Sequence, residues 1–339
     1  MVKFSFPVTK IQRGDYSDVY FNRARQILLK DNYHPLITIQ VFQKQKDVTL
    51  CGIEEIKQLF QQTFKSASKL TVHSLQDGDQ ISHWETILTI TGDYSLFAHL
   101  ETIYLGILGR RSLIATNMRR AVTAANGKPI LYFGSRFDYF LNQEGDAYAT
   151  LIGGAKGVST PTGASLISQK PVGTIPHSLI VSYQGNIAQT AAKFNQNFPQ
   201  LNTISLIDFN NNCVQGALDS AKKLGQKLWG VRLDTAENIC DVSTPKQTGV
   251  NSLLVKKVRQ ALNNHSFNWI KIIVSGGFNP EKIQQFEASK TPVDIYAVGS
   301  YILSGQIDFT ADAIRLNAKN LAKTGRKYSP NPKLKSWLI

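Results

Sequence analysis

Asp208 and Asp234 each close a short apolar run, ISLID and LWGVRLD. If those runs are parallel strands, both carboxylates face one mouth. There they could hold a sugar's hydroxyls, a divalent ion or a developing positive charge, although Asp at a strand end is equally a helix N-cap. Arg232 stands two residues before Asp234, on the same face of the strand. An arginine and an aspartate directed into one interior are costly unless they are paired or liganded. Ser275-Gly276-Gly277 and, one strand later, Gly299-Ser300 put small residues where backbone N–H groups can approach an anion, and where a plain tight turn would also want glycine. Arg136, after FGS, is a fork for a carboxylate or phosphate, or an ordinary surface cation. His177, in PVGTIPHSLI, precedes a helix expected from Ser178; spacing alone makes it an ordinary surface or structural histidine. Tyr20, in YSDVYF, reads by position as core more than as a stacking platform. Carboxylates, a cation and glycine turns at neighbouring strand ends together suit a phosphorylated sugar.

The elements that must position these groups follow from hydrophobic period. PLITIQVFQK (35–44) and WETILTITG (84–92) alternate with period two and read as half-buried strands. GIEEIKQLFQQTF (52–64) between them reads as an amphipathic helix, QDGD (76–79) as a turn, and 94–108 and 112–125 as helical. After Gly127 the rhythm changes. Short apolar strands at 130–133, 204–208, 228–234, 271–277 and 295–300 end in polar or glycine clusters, and helices follow at 214–224 and 280–287. Such alternation implies parallel pairing and a β/α barrel with its site where the strands end, a doubly wound sheet being the alternative. The expected fold class is therefore α/β, an irregular β/α barrel over 111–339 with a basic C-terminal tail, preceded by an N-terminal α/β sandwich domain over 1–110. The first residues of that domain pack on the barrel or on a partner subunit.

A chain of 339 residues with 42% hydrophobic content can bury a core of enzyme size. Cys51, Cys213 and Cys240 have no CxxC spacing and the Met1 to Pro7 start lacks an apolar signal segment, so a reducing, cytoplasmic setting is expected. Arg110 and Arg111 interrupt the most apolar run, well short of the ~18 residues of a membrane helix, so no membrane association is expected. Lys and Arg outnumber Asp and Glu by 38 to 24, a net charge of +14. A solvated basic surface, an anionic ligand and nucleic acid could each account for it. The cations are scattered except between Lys319 and Lys335, and no aromatic-and-basic stacking motif stands out, which argues against nucleic acid.

In order along the chain, GDYSDVYF, ATNMRRAV with AANGKPILYFGSR, IGGAKGVST, KPVGTIPHSLI, LIDFNN, GVRLDT, VSGGF, YAVGS and AKTGRKYSPN resemble segments of the nicotinate phosphoribosyltransferases. The wider group includes the nicotinamide and quinolinate enzymes. The resemblance implies a homodimer with shared active sites, in which Tyr20 of one subunit and Phe133 of the other sandwich the pyridine ring while Arg136 addresses its substituent. It implies that Asp208, Arg232 and Asp234 bind the ribose and pyrophosphate portions of phosphoribosyl pyrophosphate. Ser275, Gly276, Gly277, Gly299 and Ser300 would hold the 5′-phosphate. His177 matches the histidine that family members phosphorylate from ATP, and Mg²⁺ would accompany the phosphates. Lys156, in GGAKG, falls near the position where nicotinamide-specific relatives carry an acid, so a cation there would favour nicotinate. After Arg136 the chain departs from the usual basic residue and HP pair, reading Phe137, Asp138, Tyr139, Phe140. The remaining readings are a nicotinamide or quinolinate enzyme and, outside enzymes, an inactive basic relative that binds nucleic acid.

Overall fold

The computed structural model describes residues 2–64, 70–166 and 168–337. Two compact units emerge. The first comprises 1–116, 148–153 and 305–339, and the second 117–147 and 154–304. The division expected between 110 and 111 falls instead between 116 and 117, further along the same helix Glu101–Ala124, and the basic tail, expected with the barrel, belongs to the first unit.

In the first unit a six-stranded sheet centres on Leu36–Gln43, flanked antiparallel by Leu88–Asp93 and by Phe309–Leu316. The helix Ile53–Thr63 packs Ile53, Ile56, Leu59, Phe60 and Thr63 into the core at the three-to-four spacing of a helix face. Its start is set by Asp77, in the QDGD turn, whose carboxylate accepts the N–H groups of Ile53 at 2.8 Å and Glu54 at 3.1 Å. The alternation in 35–44 implied one wet face, yet the strand is buried from Thr38 onward. The tail covers the other face: the Gln40 side chain donates to Lys327 O at 3.0 Å and accepts from Ser329 N at 3.0 Å, in the manner of a strand. Glu101–Ala124 is one continuous helix where two helical stretches were expected. Arg111 does not interrupt it, because Glu55 receives its guanidinium bidentately at 2.7 and 3.1 Å.

The second unit is a curled, wholly parallel sheet of Gly157–Val158, Ile130–Tyr132, Ile295–Val298, Lys271–Val274, Leu228–Leu233 and Thr203–Leu206, in that spatial order. Sequence neighbours lie side by side, and the last strand of the chain segment, Ile295–Val298, pairs with the first, Ile130–Tyr132. That closure distinguishes a barrel order from a doubly wound one. Among the described strands the ring is open between Gly157–Val158 and Thr203–Leu206, which makes the barrel irregular. The helices Cys213–Leu224, Ser252–Asn264 and Pro280–Ala288 each start behind an asparagine (Asn212, Asn251, Asn279) whose side-chain oxygen accepts an N–H of the first turn. The helices capped by Asn212 and Asn279 follow their strands closely, whereas a longer loop separates Leu233 from the helix capped by Asn251. No helix among the described residues is long and apolar enough to cross a membrane.

Candidate active site

The C-terminal strand ends of the second unit line a cleft whose walls include Phe133, Arg136, Arg232, Asp234, Ser275 and the Gly276-Gly277 turn, with Gly299 and Ser300 beside them. Arg232 and Asp234 project from one face of their strand while Leu233, fully buried, points the other way. The Arg232 guanidinium donates from Nη2 to Asp234 Oδ2 at 2.9 Å, from Nε to Ser275 Oγ at 2.8 Å and from Nη1 to Thr174 Oγ1 at 2.9 Å. Ser275 Oγ approaches Asp234 Oδ1 at 2.6 Å, so both carboxylate oxygens are engaged. The arginine and aspartate expected to need a partner therefore have each other, and Arg232 is a held strut, with its guanidinium carbon 5.3 Å from the Phe133 ring centroid. Arg136 is exposed, 5.2 Å from the Phe137 ring centroid, and no carboxylate pairs with it among the described residues.

The glycines are required by the backbone. Gly276 and Gly277 have φ of +86° and +66°, the left-handed region, and a Cβ on Gly277 would lie 1.6 Å from Glu237 Oε1. Gly299 is required by packing, since a Cβ there would meet Phe137 at 2.8 Å and the Phe133 carbonyl at 3.2 Å. Among the described residues no protein acceptor takes the backbone N–H of Gly276, Gly277 or Gly299. Orphan donors from two adjacent loops thus converge on one cleft, the arrangement that binds phosphate.

His177 and Asp208 do not line this cleft. They meet beyond the neighbouring strand, Thr203–Leu206, with His177 Nε2 3.1 Å from Asp208 Oδ2. The helix begins at His177 itself rather than Ser178, and the ring is 45% exposed while the carboxylate is 6% exposed. Asp208 Oδ1 is buried with no partner. Burial raises the Asp208 pKa, the charge and hydrogen bond of His177 oppose that, and the Asp234 charge raises it further. A buried carboxylate with a vacant oxygen near a second carboxylate calls for a cation or a hydroxyl.

Lys156 lies elsewhere. It precedes its strand, its backbone N–H bonds to Ile130 O at the beginning of the adjacent strand, and its side chain is exposed. Its backbone therefore stands at the opposite end of the parallel sheet from the cleft, and it is not among the residues that line it. Tyr20 belongs to the first unit, in the helix Val19–Lys30, and is 59% exposed rather than in the core; its hydroxyl donates to Asp18 at 3.2 Å. Thr174, Glu237 and Lys282 also stand at this site, with no sequence signal that marks them. Thr174 stood in the quoted segment KPVGTIPHSLI, but nothing local marks a threonine that reaches across to Arg232.

A parallel β/α ring with a glycine turn of unpaired N–H groups and acids at its strand ends defines the class of protein as an irregular β/α barrel with its cleft at the strand ends. The chain is 31% identical to the nicotinate-nucleotide pyrophosphorylase of Pyrococcus furiosus, whose crystal structure superposes with a TM-score of 0.85 over 97% of this chain and 82% of that one. Residues 18–112 match the family model described as quinolinate phosphoribosyl transferase, N-terminal domain. A nicotinate phosphoribosyltransferase of Mycobacterium tuberculosis is 26% identical over 212 residues, 61% of this chain and 42% of that protein. The human nicotinic acid phosphoribosyltransferase shares the fold, with a TM-score of 0.71 at 16% identity over 93% of this chain and 77% of that one. The chain belongs to the nicotinate and quinolinate phosphoribosyltransferase family, and spans less than half the length of the curated Mycobacterium relative.

Proposed function

We propose that the protein is a nicotinate phosphoribosyltransferase of NAD salvage, forming nicotinate mononucleotide and pyrophosphate from nicotinate and phosphoribosyl pyrophosphate. The observation that carries this is the cleft: orphan N–H groups for a phosphate, acids at neighbouring strand ends for the ribose, and Phe133 with Arg136 for an aromatic carboxylate. As pyrophosphate leaves, positive charge grows on the anomeric carbon, and the pyridine nitrogen attacks with its own lone pair, so no protein base is needed. Asp234, held by Arg232 and Ser275, keeps a fixed negative charge for that centre. Of the two arginines in the cleft, Arg232 is engaged by Asp234, which leaves Arg136 for one carboxylate.

Mg²⁺ would be held by Asp208 and Asp234 together with the donor's phosphates. No cluster of three or more acidic, histidine or cysteine ligands exists among the described residues, which suits an ion that arrives on pyrophosphate. It would supply charge neutralisation of the leaving group. His177, exposed and oriented by Asp208, is the residue for phosphorylation from ATP. The partner subunit's helix Val19–Lys30 would complete the pocket with its tyrosine; this helix buries none of its residues and leaves Val19, Tyr20, Ile27 and Leu29 exposed.

Incubation with nicotinate, phosphoribosyl pyrophosphate and Mg²⁺, with and without ATP, tests the reading. Nicotinate mononucleotide should form, ATP should stimulate it, and His177→Ala should lose only the stimulation; ATP stimulation surviving in that variant removes the histidine's role. The family model matched by residues 18–112 favours a second reading, quinolinate as substrate. Release of CO₂ with quinolinate would establish it.

A further inference from the structure

Lys282 occupies a position that helix electrostatics disfavours. It is the third residue of the helix Pro280–Ala288, where the positive end of the helix dipole repels a cation. Its backbone N–H is already used by the Asn279 cap at 2.8 Å, so the local cap does not need its side chain. The side chain is half-buried, with the ammonium 4.5 Å from the Phe278 ring centroid, and no carboxylate forms an ion pair with it among the described residues. Its one hydrogen bond goes to the carbonyl oxygen of Gly276 at 3.1 Å. A half-buried cation at the wrong end of a helix, hydrogen-bonded to a neutral carbonyl and stacked on Phe278, breaks a local rule that neither its cap nor an ion pair explains.

The gain lies one peptide further on. The peptide between Gly276 and Gly277 is planar and trans, so holding the Gly276 carbonyl on the Lys282 side turns the Gly277 N–H the opposite way. Both glycines have left-handed φ and could otherwise sample many orientations, and both line the cleft without an acceptor for their N–H groups. We propose that Lys282 is a positioning residue for the phosphate cradle: it locks the Gly276-Gly277 peptide in its anion-binding orientation and adds positive charge behind it. Burial lowers the Lys282 pKa, and the Glu237 charge opposes that, so a nearby anion strengthens the protonated form the cradle requires. This rests on the cleft being the site for the donor's 5′-phosphate, but does not depend on which pyridine is used.

The test measures binding of ribose 5-phosphate to the full chain by calorimetry, alongside steady-state kinetics. Lys282→Met keeps the apolar stem on Phe278, and should weaken ribose 5-phosphate and raise KM for phosphoribosyl pyrophosphate by about tenfold or more, the loss expected for a charge-assisted contact. It should leave KM for the pyridine substrate unchanged, and Lys282→Arg should restore most of the binding. A thermal melt of each unliganded variant separates misfolding from loss of the cradle. Binding by a folded Lys282→Met protein within about twofold of the wild type overturns the inference, as does a wild type that does not bind ribose 5-phosphate. If the wild type binds ribose 5-phosphate and Lys282→Met weakens it, yet no nicotinate mononucleotide forms, the proposed reaction fails while the role of Lys282 stands.

Discussion

Single residues in and beside the cleft carry opposed demands of folding and chemistry. Asp208 is kept where water cannot solvate its charge, so its pKa in the folded chain is raised, mainly by burial. Between the ordinary carboxylate value and that raised value the folded protein retains a proton the unfolded chain has lost, so stability falls as pH rises. Asp208→Asn should therefore melt higher than the wild type, by a margin that grows with pH across this window and vanishes at acid pH, while transfer activity collapses. Parallel melting curves across the pH series would refute the account. Gly277→Ala makes a different point, since strain at φ +66° and the Glu237 contact fall on the cradle alone. Its expected signature is a loss of about 1–2 kcal/mol in donor binding, read as KM for phosphoribosyl pyrophosphate.

At the scale of elements, the long helix Glu101–Ala124 begins with an acid that suits the helix dipole but is poorly hydrated. Burial raises the Glu101 pKa to about 7, the Tyr104 hydroxyl opposes the shift and the Asp312 charge adds to it. Because the folded value is the higher one, wild-type stability should decline from the ordinary glutamate range up to about pH 7 and then level off. Glu101→Gln should remove that slope in a melting-temperature series. The tail is a second such element. Arg326 pairs with Asp312 at 3.1 Å and lies 5.2 Å from the Trp84 ring centroid, and Lys333 pairs with Glu85 at 3.2 Å. Part of the densest basic segment is thus engaged by its own unit, and the Trp84 ring beside it already carries the protein's own cations. Replacing Gln40 by Ala removes two of the bonds that hold the strap, so tryptic cleavage between Lys323 and Lys333 should accelerate, with about 1–3 kcal/mol lost in denaturant melts.

For the whole molecule, the exposed apolar face of Val19–Lys30 is the feature a second copy would cover. If active sites are shared, neither Tyr20→Ala nor Asp234→Ala should be active alone. After unfolding and refolding together they should regain activity approaching about one quarter of the wild-type value, the share of sites that receive both intact residues. A monomer by light scattering, or no recovery in the mixture, would remove the shared site.

Much of this protein was legible without coordinates because its signals are local. The strands that end at Leu206, Leu233, Val274 and Val298 follow from hydrophobic period, although the apolar runs were expected to extend to 208, 234, 277 and 300; the helix Ile53–Thr63 follows from the spacing of its apolar face. What the order of residues could not reveal are contacts between segments remote in sequence. Arg232 meeting Thr174, Gln40 held by the tail, and Phe309–Leu316 completing the first sheet all depend on how the chain returns on itself. The same reason removed Lys156 from the cleft: sequence places it beside a strand, and only the parallel pairing decides at which end of the sheet it stands. His177 and Asp208 are 31 residues apart, and their hydrogen bond is likewise a product of the tertiary fold.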